Sequence, residues 1–72
     1  MDREKEKKGI ILSNLEKKII LLSAQGVQEQ EIAKMLHIST PLLKFRKREL
    51  FIRLKVNNIS KAILRAINYH LL

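Results

Sequence analysis

Residues 29–55, EQEIAKMLHISTPLLKFRKRELFIRLK, constrain the fold of this chain more than any other stretch. Ile32, Ala33 and Leu36 recur at short helical spacing and are followed by the break His37-Ile38-Ser39. A second segment opens at Thr40-Pro41 and carries the basic cluster Lys44, Arg46, Lys47 and Arg48. A short amphipathic helix, a turn of a few residues and a longer basic helix together read as a helix-turn-helix.

Seventy-two residues suffice for one small domain, which buries only roughly 60% of the surface its unfolded chain exposes. The chain contains no cysteine, which excludes a disulfide framework and a thiolate zinc site. Its longest apolar runs, 10–12 and 19–22, fall far short of the ~20 residues that span a bilayer. The amino terminus lacks a signal peptide's apolar segment, so a soluble, cytoplasmic protein is the expectation. The formal charge of +8 is unevenly placed. Residues 1–38 hold seven Lys/Arg against six Asp/Glu, whereas residues 39–72 hold eight against one. Excess positive charge gathered in one half is the footprint of a polyanion binder, nucleic acid or anionic membrane.

Along the chain, residues 1–11 form an expected charged, flexible arm or linker end, and residues 12–72 the folded domain. Asp2, Glu4 and Glu6 argue against a basic arm that enters a DNA groove. A first helix is expected with Ser13 or Asn14 as N-cap, Glu16 in its first turn and Leu12 as a staple. Leu15, Ile19 and Leu22 should face inward, Lys17 and Lys18 outward, and Gly26 should close the helix in a left-handed conformation. The run 19–22 is also compatible with a strand, but Gly26 and the spacing favour a helix. A second helix begins at Gln28, a poor N-cap, with Glu29 and Glu31 where the macrodipole favours acids. Pro41 disfavours helical dihedrals before it, which predicts Thr40 as the N-cap of the third helix. Leu43, Leu50 and Leu54 then form its core stripe, with Lys44, Phe45, Lys47 and Arg48 largely on the other side. Asn57-Asn58 make a turn. A fourth helix is expected from Ser60 as N-cap to about Tyr69, with Ile63, Ala66 and Ile67 inward. The fold class is all-α, a tetrahelical helix-turn-helix domain.

These residues resemble the LuxR/GerE-type DNA-binding domain. The family pattern runs L-[ST]-x-x-E, a helix ending in Gly, E-I-A-x-x-L-x-I-S, T-V-K-x-H and K-L-G-V. Leu12-Ser13, Glu16, Gly26, Glu31-Ile32-Ala33, Leu36, Ile38-Ser39, Lys44, Leu54 and Val56 fall at the matching spacings. The likeness covers residues 12–72. Departures are local: Leu42-Leu43 replaces Thr-Val, Arg46 the histidine, and Lys55 the capping glycine. Leu15 stands for an arginine, and Pro41 is unusual at the start of the third helix.

The resemblance implies sequence-specific binding of double-stranded DNA in bacterial transcription regulation, with the third helix in the major groove. Carried over by position, Lys44, Phe45 and Arg48 would meet base edges. Lys44 and Arg48 lie one turn apart and can each donate to guanine, and Phe45 can pack on a thymine methyl. Phe45 as a core aromatic is the competing assignment; its basic neighbours favour exposure. Arg46, Lys47, Thr40 and Lys61 are the expected phosphate contacts. Arg53 is expected to be a scaffold residue paired with Glu31. The likeness also implies a homodimer on DNA through the fourth helix and RNA polymerase as a further partner. Relatives are effector domains of response regulators, ligand-sensing activators or short free-standing regulators.

His37, His70 and the carboxylates form no catalytic or metal pattern, and there is no Gly-rich phosphate loop. Neither an enzyme, a metal nor a cofactor is expected. Two other classes compete: a small helical protein-interaction module using the fourth helix, and a basic amphipathic membrane-surface binder. Absence of tryptophan and the good capping signals weaken the last.

Overall fold

The computed structural model describes residues 9–72, so residues 1–8 of the expected arm lie outside it. Four helices follow in order: α1 Asn14–Ala24, α2 Glu29–Leu36, α3 Thr40–Leu54 and α4 Ile59–Asn68. The described residues contain no strand, which settles the run 19–22 as helix. The all-α tetrahelical architecture is the one expected from the spacing.

A reciprocal capping box starts α1. Ser13 Oγ accepts from the Glu16 N–H at 3.1 Å, and Glu16 Oε1 accepts from the Ser13 N–H at 2.9 Å. Two of the orphan donors at the helix start are thereby satisfied. Gln28 precedes α2 without a side-chain cap bond, so acids in the first turn, Glu29 and Glu31, are its favourable end charges.

The third helix starts one residue earlier than expected. Ser39, not Thr40, is its N-cap, with Ser39 Oγ accepting from the Leu42 N–H at 3.2 Å. Thr40 and Pro41 occupy the first turn, where the N–H that proline lacks would have had no intrahelical partner. The fourth helix is likewise capped earlier, by Asn58 rather than Ser60; Asn58 Oδ1 accepts from the Lys61 N–H at 2.8 Å.

The core has two adjoining parts. Ile19, Ile32, Ala33 and Leu43 are buried where α1, α2 and α3 meet. Leu12, Ile20, Leu50, Leu54, Ala62 and Ala66 are buried where α1, α3 and α4 meet. Helices α1 and α3 serve both, which is why Ile20 is as deep as the expected Ile19, while Leu15 and Leu22 are half-buried beside them. On the outer side of α1, Lys18 is exposed and Lys17 half-buried. Ile10 packs on the second cluster, so the core's contacts reach back to that residue.

The inward face of α4 differs from the expected one. Ala62 and Ala66, one turn apart, are fully buried, Ile63 is half-buried, and Ile67 faces out. Alanines let the α4 backbone approach α1 and α3 closely, which rotates the larger Ile67 off the contact.

Candidate nucleic-acid interface

The buried stripe Leu43, Leu50 and Leu54 fixes how α3 is turned. At 3.6 residues per turn, the side opposite this stripe presents Lys44, Phe45, Arg48 and Ile52. All four are exposed, and Phe45 retains 48% of its surface, so it is not a core aromatic. Lys44 and Arg48 stand one turn apart on this face, at the rim of a shallow cavity also lined by Glu29, Lys47 and Phe51. The first turn of α2 thus borders the basic face of α3.

Lys47 lies toward the seam between the two helices. Its Nζ is 3.0 Å from Glu29 Oε2, and the side chain is largely covered. Arg46 lies on the opposite flank, where its Nη1 donates to Glu49 Oε1 at 3.2 Å. The Arg46 Nε is buried without a hydrogen-bond partner among the described residues. Arg46, Glu49 and Arg53 line a cavity with Ile11, Ser13, Glu16 and Ile52, of which Ile52 alone also belongs to the Lys44–Arg48 face. Of the expected phosphate contacts, Thr40 is half-buried in the first turn of α3, and Lys61 is exposed on α4. Lys61 shares a cleft with Lys55 and Arg65, so it extends the basic surface at the α3–α4 corner instead of joining Lys44 and Arg48.

Arg53 is a scaffold residue, but with a different partner from the one expected. Its guanidinium pairs with Glu16, not Glu31, and also donates from Nη1 to the Ile11 carbonyl at 2.9 Å. Glu16 is buried, and its two carboxylate oxygens divide the work: one caps α1, the other holds Arg53 of α3. Glu16 lies only three positions after Ser13, which makes the cap legible in sequence, whereas Arg53 is 37 positions away. The Glu29–Lys47 pair joins residues 18 positions apart, so sequence offers only a first-turn role for Glu29 and a phosphate contact for Lys47. Ile52 gives no such signal in sequence, because it follows Leu50-Phe51 in an apolar run that reads as core.

Residues 10–66 match the family model described as bacterial regulatory proteins, luxR family. The chain belongs to that family. No curated protein and no solved structure matches it. Membership of the luxR family makes this a helix-turn-helix domain of a DNA-binding regulatory family, a class that is not enzymatic. The luxR-family match spans all of α1 to α3 and most of α4, including the whole basic face of α3. Among the described residues, no helix is long and apolar enough to cross a membrane.

Proposed function

We propose that this domain binds double-stranded DNA sequence-specifically as part of a bacterial transcription regulator, with α3 lying in the major groove. One observation carries the reading: Lys44, Phe45 and Arg48 share the face of α3 opposite its buried leucines, exposed and adjacent. The major groove admits a helix and gives each base pair a distinct donor and acceptor pattern. Lys44 and Arg48 donate to base edges there, a good bidentate contact being worth roughly 1–3 kcal/mol of discrimination. Phe45 supplies an apolar contact.

Thr40, Arg46, Lys47 and Lys61 position the domain on phosphates. For Arg46 and Lys47 this requires an exchange, because each is held by a carboxylate of the chain, Glu49 and Glu29 respectively. The backbone contacts fix register and carry no sequence information. Homodimer formation through α4 on paired half-sites fits the exposed Leu64 and Ile67 of that helix. RNA polymerase contact and a cytoplasmic location accord with the same role.

Salt titration on duplex DNA tests the assignment. Affinity should fall with log salt by about 0.9 log units per phosphate neutralised. Lys44→Ala and Arg48→Ala should each weaken binding to a selected site about tenfold or more, in line with the cost of a lost base contact. Lys17→Ala, on α1 and outside the basic face of α3, should change it little. Equal losses in all three variants would put the groove face elsewhere on the molecule. A protein-interaction module would show little salt slope, and a membrane-surface binder would respond to anionic vesicles in place of duplex.

A further inference from the structure

Ile52 is 69% exposed, more than Phe45, and the two lie seven residues apart on nearly the same line of α3. That line is the centre of the outward face, directly opposite Leu43, Leu50 and Leu54. Lys44 and Arg48 flank it on one side. On the other side the ridge meets Glu49, whose carboxylate is paired with Arg46. An apolar ridge with cations along one side and a neutralised acid along the other suits a surface whose margins are anionic and whose floor holds apolar groups. In the major groove the thymine C5-methyl is the apolar group that the base pairs present.

We infer that Phe45 and Ile52 together read thymine methyl groups, making two thymine positions determinants of the preferred site. This rests on the placement of α3 in the major groove. Seven residues of helix span about 10.5 Å, close to three base-pair steps of about 3.4 Å. The two thymines therefore lie about three base pairs apart. Ile52 also edges the cavity whose other exposed apolar residue is Ile11. A protein partner seated there would use Ile52 without any dependence on thymine methyls, so the two occupants are separable.

The test begins with a site selected from random duplexes, in which each thymine is replaced singly by uracil. Uracil pairs as thymine does and lacks only the methyl. Dissociation constants are measured for the unmodified chain, Phe45→Ala and Ile52→Ala. Both residues are exposed, and circular dichroism checks that each variant keeps its helix content. For the unmodified chain, uracil at two positions should weaken binding about fourfold each, the value of one apolar carbon withdrawn from water. Phe45→Ala should abolish the sensitivity at one position, and Ile52→Ala at the other. Uniform tolerance of uracil overturns the inference, as does a pattern that survives Ile52→Ala. In either case salt-dependent duplex binding would persist and the broader reading would stand. Failure to bind any duplex would overturn both.

Discussion

The charged residues of α3 are not equivalent, and the difference lies in what each one touches. Lys44 and Arg48 face outward, whereas Lys47 meets Glu29 at 3.0 Å and Arg46 meets Glu49 at 3.2 Å. Ion pairs this close to the surface contribute little to stability, about 0–1 kcal/mol, so their importance is competitive. A carboxylate beside Lys47 both occupies its ammonium and repels an approaching phosphate. Glu29→Gln should therefore raise duplex affinity several-fold at low salt while leaving the melting temperature nearly unchanged. Lys47→Met should then cost more affinity in the Glu29→Gln background than in the unmodified chain. A double-mutant cycle measures this coupling, and strictly additive effects would show that Glu29 does not compete with DNA for Lys47. The Glu29–Lys47 pairing was invisible in the sequence for a definite reason, unlike Arg46–Glu49, which joins neighbours one turn apart on α3. Glu29 already had a role at the start of α2, and nothing local announces that α3 brings Lys47 alongside it. Arg53 shows the same gap, because choosing Glu16 over Glu31 requires knowing how α1 crosses α3.

The helices share one way of ending. After each of the four, a residue in left-handed conformation is followed by an apolar residue whose N–H reaches back to the carbonyl five positions earlier. The left-handed residues are Gly26, His37, Lys55 and His70. The returning bonds are Val27 to Leu22 at 3.1 Å, Ile38 to Ala33 at 3.0 Å, Val56 to Phe51 at 3.0 Å and Leu71 to Ala66 at 2.9 Å. Val27 and Ile38 pack on one core cluster, Val56 and Leu71 on the other. Each closure thus ties a helix end to the core and satisfies orphan carbonyls. The first was readable from its glycine, and the corner at Lys55 from the family pattern that has glycine there. His37 and His70 gave no such signal, since their conformation is imposed by the following apolar anchor. The helix starts at Ser39 and Asn58 were ambiguous for another reason: a second capping residue, Thr40 or Ser60, lies within two positions. Lys55 has φ 58°, a region that costs an L-residue with a side chain about 1–2 kcal/mol and glycine almost nothing. Greater freedom of glycine in the unfolded chain offsets roughly 0.5–1 kcal/mol of this. Lys55→Gly should stabilise the domain by about 0.5–1 kcal/mol, raising the melting temperature by a few degrees. A thermal melt without DNA checks this, and an unchanged or lower midpoint would mean that the lysine side chain stabilises the corner by contacts of its own.

At the scale of the molecule, charge and exposed apolar surface occupy different places. The basic excess follows α3 and the α3–α4 corner, whereas Leu64, 60% exposed, and Ile67, 55% exposed, stand on the outer side of α4. The charge division between the halves was plain from composition alone. The exposure of Ile67 was not, because Ile63, Ala66 and Ile67 and the shifted set Ala62, Ile63 and Ala66 are both helical faces. Only packing against α1 and α3 selects the set with two alanines. The exposed residues are too few to hold two copies together unaided, since a stable interface buries about 800 Å² on each partner. Two adjacent half-sites supply what the surface lacks: once one copy is bound, the second meets it at a high effective concentration. The chain should sediment as a monomer alone and occupy a palindromic duplex as a pair, with the second copy binding more tightly than the first. Leu64→Glu places a charge in that contact while leaving the buried face of α4 intact. It should preserve helix content and affinity for a single half-site, yet reduce the cooperativity on the palindrome to near zero. Sedimentation with each duplex reads out both quantities, and cooperativity that persists in Leu64→Glu would place the pairing surface somewhere other than the outer side of α4.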